Sequence, residues 1–201
     1  MKTRLTCFVC ALLLVFMFGC QTGKSGWEFN AETLDEITRI VENFNFYYSM
    51  QVWEQGEGTQ YGENVLTSDQ LKVDFVADYL RWDMEYDENV DYSKLLKSDV
   101  VRILDDTLGT ALSDEFLSNS GDYLEPSDWA GDYFPFAYVD RVETDGDQVV
   151  VHGAICWSGN LGLSEPRGFT AIFRADKIQL VSLSVGMNEY EFDEYLNGDF
   201  N

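Results

Sequence analysis

His152 and Cys156 stand four residues apart in one valine-rich run, Gln148 to Trp157. His152 is the only histidine of the chain. As a general base it would need an orienting carboxylate, a pocket and a proton within hydrogen-bond reach. Carboxylates are abundant, but spacing places none beside it. A histidine-dependent nucleophilic triad has only this residue to use, and no Gly-x-Ser-x-Gly elbow is present. Alternation puts Val149, Val151, Gly153 and Ile155 on one face of a strand and Val150, His152, Ala154 and Cys156 on the other. The expectation is a structural or surface histidine, and a cysteine that acts as a small buried apolar residue rather than a nucleophile. One histidine and one lone cysteine do not supply the ligand set of a zinc site.

Carboxylates are the other reservoir of chemistry. Asp83, Glu85, Asp87, Glu88 and Asp91 form the densest acidic run, with the hard oxygens that calcium prefers. The EF-hand pattern fails there: position six would be Glu88 rather than glycine, and position twelve Lys94 rather than glutamate. A solvated helix end is the simpler reading, with calcium response as an alternative. Asp140, Asp145 and Asp147 flank a hairpin signal and read as turn chemistry. With 36 Asp and Glu in the chain, a carboxylate pair of the kind used in glycoside hydrolysis would arise by chance and carries no information. Trp129, Tyr133, Phe134, Phe136 and Trp157 lie in or beside expected strands. They are core residues on the simplest reading. His152, Trp157, Phe134 and Phe136 are the candidates for a concave ligand-binding face. Catalytic residues, a metal site and a cofactor are not called for by any pattern, and the ligand is unspecified.

The N-terminus carries a different chemistry. Lys2 and Arg4 precede an apolar run from Cys7 to Phe18, then Gly19-Cys20, then a polar stretch from Gln21 to Gly26. The apolar run is shorter than the roughly 20 residues that span a bilayer. This segment resembles the signal of bacterial lipoprotein precursors. In Met17-Phe18-Gly19-Cys20 the glycine and cysteine match the lipid-attachment box, Met17 stands where leucine is usual, and Phe18 stands where the family has a small residue. The resemblance implies removal of residues 1–19, lipidation of Cys20 through its sulfur, a tether over 20–29, and an extracytoplasmic domain anchored to a bacterial membrane. Gly19, Gly23, Lys24 and Ser25 imitate a phosphate-binding loop, but three residues separate the glycines where that loop has four.

Charge narrows the partners. Thirteen Lys and Arg against the 36 acids give a net charge of −23. Loss of Lys2 and Arg4 with a signal makes the remainder more negative by two. Nucleic acid and anionic head groups are repelled by such a surface. A basic protein or peptide is the compatible macromolecular partner. Aromatic residues make up 15% of the chain, which places it among packed rather than disordered proteins. With Cys7 and Cys10 in the signal and Cys20 at the lipid site, Cys156 has no disulfide partner, so stability rests on the core.

Such a core needs positioned elements. Residues 30–120 read as helical. Thr33 to Glu36 forms a capping box, followed by a stripe of Leu34, Ile37, Val41, Phe44 and Tyr48, widened by Ile40 and Tyr47. Thr67 to Gln70 forms a second box with Leu66 and Leu71 as a staple, and Phe75, Val76, Tyr79 and Leu80 continue that face. A third helix starts near Ser98 and stops at Gly109; a fourth turn starts at Ser113 with Phe116 and Leu117 inward. Residues 130–187 change to strand periodicity. Phe134, Phe136 and Tyr138 alternate, and Pro135 marks an edge strand or a strand start. Asp145-Gly146 predicts a hairpin into Gln148–Trp157. Gly168–Arg174 and Ile178–Val185 complete an antiparallel meander of about four strands. Residues 188–201 form an acidic, aromatic tail. One domain over 30–201 is expected, of α+β class, with helices packed on one face of the sheet. Its element order is similar to that of nuclear-transport-factor-2-like and cystatin-like domains, a likeness of order that implies no activity. The function expected is therefore a non-catalytic binding or interaction domain at the cell envelope. An enzyme with a small-molecule site between helices and sheet is the alternative.

Overall fold

Asn30 opens the first helix. Its side-chain oxygen accepts from the Thr33 amide at 2.9 Å and from the Thr33 hydroxyl at 3.2 Å. Helix α1 therefore spans Ala31–Glu54, and Thr33 falls inside its first turn rather than capping it. An asparagine three residues upstream satisfies the orphan amide that the expected box would have served. Glu36, the other half of that box, is turned instead toward Arg39 of its own helix and the Tyr79 hydroxyl of the next. The structure, a computed structural model, describes residues 30–54, 66–82, 91, 93–127, 134–159, 162–163 and 166–186. The expected signal and tether, most of the acidic run beginning at Asp83, and the C-terminal tail lie outside the described residues.

The stripe read along α1 is buried: Ile37, Ile40, Val41, Phe44, Tyr47 and Tyr48 are all in the core. Helix α2 covers Asp69–Trp82. Its cap lies one residue later than the expected box, because Thr67 gives both its amide and hydroxyl hydrogens to Gln51 of α1. The Ser68 hydroxyl faces the Leu71 amide instead, at 3.4 Å. Leu66 and Leu71 are both buried, as a staple requires. A ladder of two residues pairs β1 (Leu95–Leu96) with β2 (Tyr123–Leu124). It is too short to show periodicity in sequence. Between these strands lie α3 (Lys97–Leu108) and α4 (Asp114–Asn119). Helix α3 ends where glycine was expected to stop it, with Gly109 left-handed at φ 60°. Helix α4 is capped by the Ser113 hydroxyl, which accepts from the Phe116 amide.

Four strands then form the sheet: β3 (Phe134–Asp145), β4 (Gln148–Gly159), and, beyond the two-residue β5 (Gly162–Leu163), β6 (Arg167–Arg174) and β7 (Leu180–Val185). Their spatial order is β3-β4-β6-β7, every pair antiparallel, with β5 added to β4. The fold is α+β. Helix α1 packs against β3 and β7, while α2 packs on α1 and α3. Toward the helices the sheet presents Val149, Val151 and Ile155 of β4, Phe169, Ala171 and Phe173 of β6, and Leu183 and Val185 of β7, all buried. Removing the valine, leucine, isoleucine and phenylalanine side chains among these from water supplies roughly 1.5–3 kcal/mol each. The alternation in β4 thus sorts its faces as the sequence indicated. Gly153 is on the core side, and a Cβ there would lie 1.9 Å from the Tyr138 carbonyl oxygen and 2.7 Å from the Phe169 ring. The β3–β4 register shifts between Val139 and Arg141, opposite this glycine. The absent side chain lets β3 bend across β4 at that bulge.

Candidate functional site

Three chain reversals meet at one end of the sheet. The first is the β3–β4 hairpin, where Gly146 takes φ 64° directly after β3. The second is the β6–β7 turn, Ala175 to Gln179. The third is the end of α3 at Gly109 and Thr110. The Asp147 carbonyl accepts from the Ala175 amide at 2.7 Å, joining the two turns of the sheet. Between them and α3 opens a cleft of about 1060 Å³. Phe44, Leu66, Leu108, Leu180 and Val181 give it an apolar part. Thr110, Asp147, Gln148, Arg174, Asp176 and Gln179 give it a polar one. An apolar concavity with a few polar groups is the usual form of a ligand site, and this one lies at the upper end of the common size range, roughly 300–1,000 Å³.

Gln179 ties the turn to the helix. Its Nε2 donates to the Asp105 carbonyl, an acceptor also used by the Gly109 amide and, at 3.4 Å, by Lys177 Nζ. The last turn of α3 thereby has its carbonyls occupied. Because Asp105 offers an acceptor, the nitrogen of Gln179 must face it and Oε1 must face away. Gln179 is 7% exposed and lines the cleft. Gly109 makes room for this amide: a Cβ there would sit 3.0 Å from it. Arg174 is held bidentately by Asp176, Nε to Oδ1 and Nη2 to Oδ2, both at 2.8 Å. That hydrogen-bonded pair holds the Asp176 carboxyl below the usual range and pushes the Arg174 guanidinium up. The lining thus carries two carboxylates against one guanidinium, already committed to Asp176.

The residues singled out in sequence lie elsewhere. His152 is on the face of the sheet turned away from the helices, opposite Arg141, with its Nδ1 3.2 Å from Thr170 Oγ1. Burial and the Arg141 charge hold its pKa below the ordinary histidine value, against the pull of Glu143 and Asp140. Phe136 shares that outer face and is 41% exposed. Trp157 points the other way and packs on Phe46, ring centroids 5.9 Å apart. Phe136 and Trp157 therefore do not share a surface. Phe134 begins β3, and its side chain lies outside the described residues, as do Trp129 and Tyr133. Cys156 is buried, its thiol 3.8 Å from the Phe136 carbonyl, with its pKa raised by burial and by Glu42. Cys20 lies outside the described residues. Among the described residues no three His, Cys, Asp or Glu gather as a metal would require. No described helix is long and apolar enough to cross a membrane.

A buried carboxyl appears where sequence gave no sign of one. Glu42 of α1 is 2% exposed. Its Oε1 accepts from the Ala137 amide of β3 at 2.5 Å, and its Oε2 has no partner among the described residues. Burial raises its pKa to about 8, with the Ala137 bond opposing and Asp35 adding to the shift. Helical spacing alone places Glu42 beside Val41 and cannot reveal that an edge-strand amide waits there. The cleft residues were equally hidden. Gly109, Asp145-Gly146 and the Ala175-Asp176-Lys177 turn were each legible as chain reversals, but their meeting at one end is a property of the assembled sheet. Comparison with protein-family models, curated proteins and solved structures finds no match to this chain.

Proposed function

We propose that the protein is an exported, lipid-anchored binding domain of the bacterial cell envelope, which holds its ligand in the cleft between α3 and the sheet turns. The cleft is the observation that carries the binding half of this reading. It combines an apolar wall with polar groups from three chain reversals, the arrangement expected of a site that binds. Binding is favoured over catalysis by the separation of parts: His152 lies on the outer face, and Glu42 and Cys156 do not line the cleft. The anchoring half rests on the resemblance of Lys2 to Cys20 to a lipoprotein signal. A lipid on Cys20 would hold the acidic domain at a membrane by its chain rather than by its surface, whose charge opposes anionic head groups.

Each half has its own test. Mass spectrometry of the mature N-terminus should find a diacylated Cys20 in the wild type and none in Cys20→Ala; an unmodified wild-type Cys20 sinks the anchor. Thermal-shift screening of the purified protein against small molecules and peptides should yield ligands whose effect weakens in Thr110→Trp, where an indole projects into the cleft. Ligands that stabilise both proteins equally would refute the cleft as the site.

A further inference from the structure

We propose that Glu42 makes the seam between α1 and the edge strand β3 a proton-operated latch, closed while the carboxyl is neutral and opened locally, ahead of the rest of the fold, as the proton is lost. The latch is separate from the cleft and independent of what binds there.

The first observation is how the carboxyl is held. Glu42 is 2% exposed, and its Oε1 accepts from the Ala137 amide at 2.5 Å. Oε2 is buried and has no hydrogen-bond partner among the described residues. As a neutral hydroxyl, Oε2 forfeits a hydrogen bond. As part of a carboxylate it would bring uncompensated charge into the interior, a far larger penalty. The elements around it do not offset that charge. Along α1 the charge acting on Glu42 is that of Asp35, which has the wrong sign. Arg39 of the same helix is engaged by Glu36 and lies over the Tyr79 ring. On β3, Asp140 is exposed and Arg141 is paired with Glu143 at 2.8 Å. β4 brings the Cys156 thiol, kept neutral by burial and by Glu42 itself. β7 contributes the apolar Leu183 and Val185, and α2 directs Asp74, Asp78 and Arg81 at Tyr47. Burial therefore dominates and raises the carboxyl from 4.5 to about 8.

The second observation is where the carboxyl sits. β3 lies at the edge of the sheet, paired with β4 on one side, and α1 packs against it. Its register shifts between Val139 and Arg141, close to Ala137. A bulged edge strand opens at lower cost than a central one such as β6, which is held by β4 and β7 together. Any opening that wets Glu42 lets it release its proton. The closed seam is fully favoured below pH 4.5, and the open fraction grows about tenfold per pH unit until the closed state ionises near 8.

The test is amide hydrogen exchange of the purified full-length chain, in detergent, from about pH 5 to about pH 7.5, expressed as protection factors. Ala137 should lose protection about tenfold per pH unit in the wild type and stay at least tenfold less protected than Ala171 of β6. Glu42→Gln keeps an acceptor for the Ala137 amide, and its protection there should be flat with pH. Ionisation in place, without opening, would strengthen the Ala137 bond and raise its protection, so that sign overturns the latch. Equal protection of Ala137 and Ala171 at every pH would also overturn it, because the proton would then be lost through global unfolding. An unchanged slope in Glu42→Gln would remove Glu42 as the sensor. The Glu42 carboxyl carbon shift of the wild type gives a readout that does not depend on the variant. It should stay that of a neutral acid through pH 6, and titration near 4.5 would refute the proposal.

Discussion

At the scale of single residues, two side chains set conditions that the rest of the molecule must meet. Glu42 holds its proton in the folded state up to about pH 8, while the unfolded chain releases it near 4.5. Between those values the unfolded state binds fewer protons, so stability falls as pH rises through the window. The full span corresponds to a loss on the order of 5 kcal/mol. Glu42→Gln keeps an oxygen for the Ala137 amide and removes the ionisation. We expect the difference in denaturation free energy between wild type and Glu42→Gln to change steadily in the variant's favour from pH 5 to pH 8. Parallel curves would contradict the burial of a neutral carboxyl. Gly153 sets a steric condition instead. Its missing Cβ leaves space for the Tyr138 carbonyl, which is backbone and cannot swing away as a side-chain tip would. Gly153→Ala should therefore cost about 3 kcal/mol or more, as overpacking does when backbone must shift. A melting temperature within a degree of wild type would show that β3 does not cross β4 this closely.

Among the elements, α3 is the one whose end is also a wall of the site. Gly109 combines a left-handed φ with contact to the Gln179 amide. Gly109→Ala should destabilise the fold by about 1–2 kcal/mol through the left-handed conformation alone. It should also displace Gln179, so cleft affinity should drop more than it does in a variant of equal stability loss elsewhere, such as Ser113→Ala. Equal affinities in the two variants would separate the cap from the site. The same helix shows what was legible from sequence. Its stop at Gly109 was readable because a left-handed glycine is a local requirement. The starts of α1 and α2 were each misplaced, by three residues and by one, because Asn30 competed with Thr33 and because Gln51, sixteen residues away in sequence, claimed Thr67. The strands and their faces were readable from the period of Val149, Val151 and Ile155. The site was not, since Gln179, Asp147 and Thr110 are ordinary turn and loop residues until three separate reversals are placed together.

For the whole molecule the governing quantity is charge. A net −23 on a chain of 201 residues means self-repulsion in the compact state, which salt relieves. The Debye length falls from about 30 Å at 0.01 M to about 8 Å at 0.15 M, shorter than most distances between surface carboxylates on opposite sides of the domain. The exposed ion pairs, such as Arg102 with Asp99 and Asp106, are weakened by the same change. Exposed pairs of this kind contribute only about 0–1 kcal/mol, so relief of repulsion dominates. Melting temperature should therefore rise as sodium chloride goes from 10 to about 150 mM. A melting temperature that fell with salt would mean that paired charges, rather than repelling ones, dominate the surface.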